Sequence, residues 1–155
     1  MSDTRTATTS GFASFSLGEK IQRGIAAAGF VEPRPIQQET IPAALAGRDI
    51  LGLAQTGTGK TAAFALPVLE GLLARKGDGP RVLIVAPTRE LATQINEEIV
   101  SLARFTGIRT VTIFGGVSAR TQAAALRNRP QIVVGCPGRL LDLKEQGVLR
   151  LDRIE

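Results

Sequence analysis

The 155-residue chain has no histidine, no tryptophan and no tyrosine, and it has one cysteine, Cys136. Without histidine it cannot build a Ser-His-Asp triad, an HExxH zinc site or a Cys/His metal cluster. A single cysteine excludes an internal disulfide and is typical of a reducing compartment, so we expect a cytoplasmic protein. These absences exclude triad hydrolases and histidine-dependent zinc enzymes.

Long apolar runs are also missing. No stretch approaches the ~18 residues that a membrane helix needs, so we expect no membrane partner. Residues 1–11 are rich in Ser and Thr and lack the apolar core of a signal peptide, which predicts a disordered tail. The length then predicts one domain over residues 12–155.

The chain is basic, with nineteen Lys and Arg against fourteen Asp and Glu, a net charge of +5. Fifteen of the nineteen are arginine, which suits bidentate phosphate contacts. A solubilising surface would have the same composition, so charge alone leaves nucleic-acid binding open.

The most informative segment is a glycine- and threonine-rich loop of eight residues: Ala54, Gln55, Thr56, Gly57, Thr58, Gly59, Lys60 and Thr61. It follows an apolar run, Ile50–Leu53, which predicts a buried strand, and it precedes a predicted helix over Ala62–Leu73. A strand, such a loop and a helix in this order form a phosphate-binding site. Lys60 would reach the β- and γ-phosphates of a nucleotide, and the Thr61 hydroxyl would ligate Mg²⁺. The competing interpretation is a simple turn with an incidental lysine.

Short β-branched runs alternate with helical patterns along the rest of the chain. Strands are predicted at 50–53, 82–86, 110–114 and 132–134, and helices at 17–28, 36–46, 62–73, 91–102, 118–128 and 138–146, with Ser118 as a cap. Such alternation predicts a parallel sheet covered on both faces, with ligands at the carboxyl ends of its strands. One rim of the sheet would therefore carry four loops: residues 54–61, which we name the phosphate loop, and residues 87–89, 115–116 and 137–139.

The segment Gly29–Gln37 precedes the phosphate loop and contains two prolines. It presents Gln37, whose amide offers a donor and an acceptor that match the N6/N7 edge of adenine. The alternative is a proline turn whose glutamine only caps the following helix.

Five elements in order give the chain a resemblance to the DEAD-box RNA helicases. Gly29–Gln37 resembles their Q motif, residues 54–61 their motif I, and residues 87–92 their PTRELA motif. Gly115-Gly116 matches their GG element, and residues 136–139 match TPGR. Two departures are Arg34 and Cys136, each in place of a threonine. We expect Cys136 to weaken an RNA contact, since a thiol is a weak donor.

The resemblance implies a three-layer, RecA-like P-loop NTPase domain of α/β class with a mainly parallel sheet. It implies ATP and Mg²⁺ as cofactors and RNA, held through its backbone, as partner. The implied catalytic residues are Lys60 and Thr61, with Thr61 as metal ligand. The implied nucleotide-binding residues are Phe12, Phe30, Arg34, Gln37 and residues 54–61, with Phe15 as a rival to Phe12; either phenylalanine could instead pack a helix. The implied RNA contacts are Pro87, Thr88, Arg89, Gly115, Gly116, Pro137, Gly138 and Arg139.

The 155 residues contain neither Asp-Glu-Ala-Asp nor Ser-Ala-Thr. From the resemblance we expect a domain incomplete at its C-terminus, monomeric, and lacking the second helicase domain that activity needs in cis. Asp142 and Asp152 are expected to face solvent and not to replace the family's carboxylates. The chain alone should therefore bind nucleotide without turnover. Competing hypotheses are another P-loop ATPase, such as a DNA helicase or small kinase, and a non-catalytic nucleotide- or RNA-binding module.

Overall fold

A computed structural model of the protein describes residues 11–155. The predicted tail lies outside the described residues except for Gly11, which begins a short 3-10 helix ending at Ser14. The helices that follow are α1 (Glu19–Ala27), α2 (Pro35–Leu45), α3 (Lys60–Ala74), α4 (Arg89–Leu102), α5 (Ala119–Arg127) and α6 (Pro137–Glu145). The strands are β1 (Val82–Val85), β2 (Thr110–Ile113) and β3 (Ile132–Gly135).

The three strands form one parallel sheet in the order β1, β3, β2. Ile132 of β3 is in register with Val82 of β1 on one side and with Thr110 of β2 on the other. All three carboxyl ends therefore lie at the same edge of the sheet, as the alternating pattern predicts.

Helices cover both faces of this sheet. Ile132 and Val134 of β3 pack into a core built mainly from α1 to α4, whose fully buried members include Leu66 and Ile99. Val133 points to the opposite face and packs with side chains of α5 and α6. This alternation within one buried strand is what a three-layer α/β fold requires, and the predicted fold class is confirmed.

The predicted strand at Ile50–Leu53 is wrong. These residues form no strand, and Leu51 and Leu53 are 87% and 85% exposed. A strand needs a hydrogen-bonding neighbour, and an apolar pattern does not supply one. Among the described residues β1 pairs only with β3, so the side of β1 facing away from β3 is open.

A cavity of about 870 Å³ borders that open side of β1. Val82 of β1, Ile50 and Ile95 are among its lining residues, and it extends to Lys60 and Thr61. The backbone N–H of Glu155 donates to the carbonyl of Arg81 at 2.9 Å, immediately before β1. Ile50 and Gly52 of the 50–53 segment thus line the same cavity as Val82 of β1 without pairing with that strand.

No helix within residues 11–155 is both long enough and apolar enough to cross a bilayer.

Candidate nucleotide and nucleic-acid site

The phosphate loop leads directly into α3, as the sequence predicts. Gly57 and Gly59 adopt φ values of +79° and +84°, and Gly59 is the N-cap of the helix. A Cβ at Gly59 would lie 2.5 Å from the Gln37 side-chain nitrogen, so both conformation and space require glycine there.

Side chains within the phosphate loop hydrogen-bond to its own backbone. The Thr58 hydroxyl donates to the Gln55 carbonyl at 2.8 Å, and the Lys60 amine donates to the Ala54 carbonyl. Lys60 and Thr61 open the fifteen-residue helix α3, where the helix dipole favours an anion. Thr56 lies on the exposed turn of the loop, and Thr61 is partly buried. Lysine, hydroxyl and helix N-terminus together suit a nucleotide phosphate with its Mg²⁺.

Gln37 is fully buried and links two segments of the predicted site. Its Oε1 accepts from the backbone N–H of Arg34 at 2.9 Å, which caps α2. Its Nε2 donates to the carbonyl of Gly59 at 3.1 Å. The capping interpretation therefore holds, and the same amide also binds the phosphate loop.

Arg34, the departure from the family's threonine, also contacts the phosphate loop. Its guanidinium donates to the carbonyl of Gly57, and its side chain is exposed. The positive charge of Arg34 therefore lies beside the loop that would hold the phosphates.

Phe12 lies in an aromatic cluster rather than on the surface. It is 4% exposed, and its ring packs edge-on against Phe15 at 6.0 Å and Phe30 at 5.9 Å between centroids. Phe12 therefore packs in the core, as the packing interpretation expects. Phe15 and Phe30 are more exposed than Phe12. Stacking of Phe12 on adenine stays a prediction.

At the carboxyl end of β1, Pro87 and Thr88 lead into α4, which begins at Arg89. The Thr88 hydroxyl accepts from the Leu91 backbone N–H at 3.2 Å and so caps the helix. The Arg89 guanidinium lies 4.9 Å from the ring centroid of Phe114, at the end of β2. Among the described residues no carboxylate forms an ion pair with Arg89, and Pro87, Thr88 and Arg89 are all exposed.

The loop after β2 lies between Arg89 and Arg139. Gly115 and Gly116 are exposed, and a Cβ at Gly116 would lie 3.3 Å from Arg89 Nη1. Arg139 Nη1 donates to the Val117 carbonyl at 2.8 Å. The structure thus brings the three predicted loops together at one rim of the sheet.

The first turn of α6 contains Pro137, Gly138 and Arg139, with Cys136 at the N-cap position. Cys136 is half-buried, and its thiol forms no capping bond. Arg139 is only 19% exposed and also lies 3.4 Å from Asp142, so its side chain is less free than the sequence suggests. Ser118 likewise occupies the N-cap of α5 without a side-chain capping bond.

Acidic residues form no metal-binding cluster in the described part of the chain. Within residues 11–155 no three Asp, Glu, Cys or His side chains converge as a metal site. Asp142 and Asp152 are exposed, as predicted. The predicted metal ligand Thr61 therefore has no cluster of three such side chains beside it within these residues.

Sequence reasoning missed Gln122 and Phe114. Gln122 is 4% exposed, and its Nε2 donates to the Phe114 carbonyl at 2.8 Å while its Oε1 accepts from Arg139 at 3.3 Å. Its only sequence signal is its place, four residues before the buried Leu126, on the inner face of α5. A polar residue at an apolar position is the pattern that would have indicated it.

One sheet between two helical layers, with a glycine-rich loop at the start of α3, defines an α/β domain of the P-loop class. The family model described as "DEAD/DEAH box helicase" matches residues 34–155. The chain belongs to the DEAD/DEAH box helicase family.

Relatives and solved structures agree with this assignment. The chain is 46% identical over 144 residues to the ATP-dependent RNA helicase CshA of Listeria monocytogenes, covering 93% of the chain and 28% of that protein. It is 47% identical to DEAD-box ATP-dependent RNA helicase CshA of Streptococcus pneumoniae, covering 93% of the chain and 27% of that protein. The chain thus spans about a quarter of these relatives' length.

A crystal structure of a DEAD box protein from Methanococcus jannaschii superposes with a TM-score of 0.88 at 38% identity, covering 94% of this chain and 40% of that one. A hypothetical ATP-dependent RNA helicase from Sulfolobus tokodaii superposes with a TM-score of 0.81 at 37% identity, covering 90% and 40%. The predicted RecA-like fold is confirmed by this likeness.

Proposed function

We propose that these residues form the N-terminal nucleotide- and RNA-binding domain of an ATP-dependent RNA helicase. In the whole protein, ATP hydrolysis would be coupled to local unwinding of an RNA duplex. The observation that carries the proposal is the buried Gln37, which joins the segment resembling the Q motif to Gly59 of the phosphate loop. The relatives described as ATP-dependent RNA helicases support it.

ATP is the proposed nucleotide. Lys60 and the loop 54–61 would hold its phosphates, and Thr61 would hold Mg²⁺, which neutralises charge on the phosphates during transfer. Gln37 has one N–H and one lone pair beyond the two hydrogen bonds observed, enough to match the adenine edge. Because Gln37 is fully buried, reading a base requires neighbouring side chains to move, and Phe12, Phe30 and Arg34 are the proposed surroundings.

RNA is proposed to bind along the rim where three loops meet: Pro87, Thr88 and Arg89; Gly115 and Gly116; Pro137, Gly138 and Arg139. Arg89 is exposed, and exposed glycine backbone lies beside it. Arginines and backbone N–H groups bind phosphates without reading sequence, so binding should be sequence-tolerant. Contacts to the 2′-OH would favour RNA over DNA.

Binding without turnover is proposed for the 155 residues alone. Phosphoryl transfer needs a held metal, a positioned water and cationic stabilisation, and within residues 11–155 no three Asp, Glu, Cys or His side chains converge to hold a metal ion. A second helicase domain in cis would supply the remaining groups. We propose a monomer in the cytoplasm, where the free Cys136 would stay reduced.

The test compares fluorescent RNA and DNA strands of the same sequence for binding to the 155-residue protein, and measures phosphate release with each. The expected result is tighter binding of RNA than DNA and release at the level of the buffer blank. Equal binding of both strands would favour a DNA helicase. RNA-stimulated release that Lys60→Ala abolishes would contradict the proposed lack of turnover.

A further inference from the structure

The side chain of Arg139 is enclosed by acceptors from three places in the chain. Its Nη1 donates to the Val117 carbonyl at 2.8 Å and lies 3.3 Å from Gln122 Oε1, while its Nε lies 3.4 Å from an Asp142 carboxylate oxygen. Only 19% of this side chain is exposed. These contacts engage Nη1 and Nε, so the two N–H groups of Nη2, on a mostly buried side chain, remain for a ligand.

Gln122 connects Arg139 to the end of β2. It is almost fully buried, accepts from Arg139, and donates through Nε2 to the Phe114 carbonyl at 2.8 Å. The turn Phe114–Val117, which we name the glycine turn, is therefore held at both ends. Gln122 holds its first carbonyl, and Arg139 holds its last.

Between these two fixed carbonyls lie Gly115 and Gly116, both exposed, with Gly116 at φ +79°. Glycine has the largest backbone freedom, so a pair of them keeps one conformation only if neighbouring groups hold it. The Phe114 ring also supports the Arg89 guanidinium at 4.9 Å. Holding the glycine turn thus also positions Arg89.

We propose that Arg139 and Gln122 are positioning residues for RNA binding. They fix the glycine turn so that its backbone and Arg89 meet the phosphates. Arg139 thus belongs to the RNA-binding rim proposed above through the turn that it holds, without itself neutralising a phosphate. This inference rests on the proposed RNA binding at the same rim. Arg89 and Arg139 therefore have different roles although both are arginines at loop-to-helix junctions.

Salt dependence separates the two roles. A residue that neutralises a phosphate contributes about 0.7 to the slope of log affinity against log salt for a single strand. Arg89→Ala should lower that slope by up to about this amount. Arg139→Ala and Gln122→Met should each weaken binding about fivefold, the effect of one hydrogen bond, and leave the slope unchanged. Arg127→Ala, an exposed arginine at the far end of α5, is the charge control.

Arg139→Lys keeps the charge but cannot form the same fork of hydrogen bonds. It should weaken binding as much as Arg139→Ala does. The proposal would be overturned if Arg139→Lys bound RNA as tightly as the wild type does. It would also be overturned if Arg139→Ala reduced the salt slope as much as Arg89→Ala does.

A measurement without RNA separates this inference from the proposed function. The {¹H}-¹⁵N heteronuclear NOE of Gly115 and Gly116 reports ps–ns mobility of the glycine turn. Arg139→Lys and Gln122→Met should lower this NOE, and Arg127→Ala should not. If wild-type protein binds no RNA but these variants loosen the turn, the RNA-binding proposal fails and the positioning contacts stand. Unchanged NOE values in both variants would refute the positioning role.

Discussion

The Gln37 side-chain nitrogen donates to the Gly59 carbonyl at 3.1 Å, while the Gln37 oxygen accepts from the Arg34 backbone. One buried amide therefore fixes the distance between the start of α2 and the start of α3. This contact joins the segment proposed to read the base to the loop proposed to hold the phosphates.

Gln37→Ala should lower the free energy of unfolding by about 1–3 kcal/mol, since the Arg34 N–H loses its acceptor and the Gly59 carbonyl keeps only its bond from the Ala63 N–H. Urea denaturation measures the change. Gln38→Ala is the matched control, because Gln38 is exposed and donates only to the Pro33 carbonyl at 3.0 Å. Equal destabilisation by the two substitutions would show that the contact to Gly59 contributes nothing.

Arg34→Ala should weaken ATP binding about tenfold, the size of one charge-assisted hydrogen bond, because its guanidinium lies at Gly57 of the phosphate loop. Its effect on stability should stay within about 0.5 kcal/mol, as usual for an exposed side chain. Titration calorimetry measures the affinity, with Arg127→Ala as a control of equal charge change. Unaltered ATP affinity in Arg34→Ala would remove Arg34 from the site.

The ion pair between the buried Arg81 and Glu155 should make stability depend on pH. The hydrogen bond from Arg81 lowers the pKa of the Glu155 carboxyl, and the charges of Arg81 and Arg75 add to this. A lowered pKa in the folded state means that the stabilisation is complete above the ordinary glutamate value of about 4.3. It is then lost as the pH falls through the lower folded value.

Urea denaturation between pH 7 and pH 3 measures this loss. Glu155→Gln should lower stability at pH 7 and make the curve flatter in the acid range. Glu97→Gln, at an exposed glutamate of α4, should leave the curve unchanged. Parallel curves of stability against pH for wild type and Glu155→Gln would contradict the stabilising role of the Arg81–Glu155 ion pair.

The exposure of residues 50–53 predicts that substitutions there change stability little, whereas the apolar sequence pattern predicts a large loss. Leu53→Ser should change stability by no more than about 0.5 kcal/mol, since Leu53 is 85% exposed. Leu66→Ala, at a fully buried leucine of α3, should cost about 2–5 kcal/mol. Thermal or urea unfolding of both variants checks the pair. A large loss in Leu53→Ser would mean that this segment is buried in a strand after all.

The strands and helices around the site could be predicted because their signals are local. Val82–Val85 and Ile132–Gly135 are apolar runs whose neighbours in the sheet are present, so their pattern and their structure agree. Ile50–Leu53 has the same kind of pattern but no neighbouring strand, and pairing is not visible in a local pattern.

The arrangement of the loops at one edge of the sheet could be predicted, but the contacts of their side chains could not. The loop motifs placed Arg89 and Arg139 on one rim because parallel strands end at one edge. The partners of Arg139 are 17 and 22 residues away in sequence, at Gln122 and Val117. Contacts of this range follow from packing and not from spacing, so the different roles of the two arginines could not be predicted.

Calorimetric titration of the 155-residue protein with ATP and GTP, in wild type and Lys60→Ala, tests the central claim most directly. We expect ATP to bind more tightly than GTP. Lys60→Ala should remove most of the affinity, and Lys76→Ala, at an exposed lysine in a loop, should not. Equal binding of ATP and GTP would contradict adenine recognition through Gln37. Normal ATP binding by Lys60→Ala would contradict the phosphate-loop assignment itself.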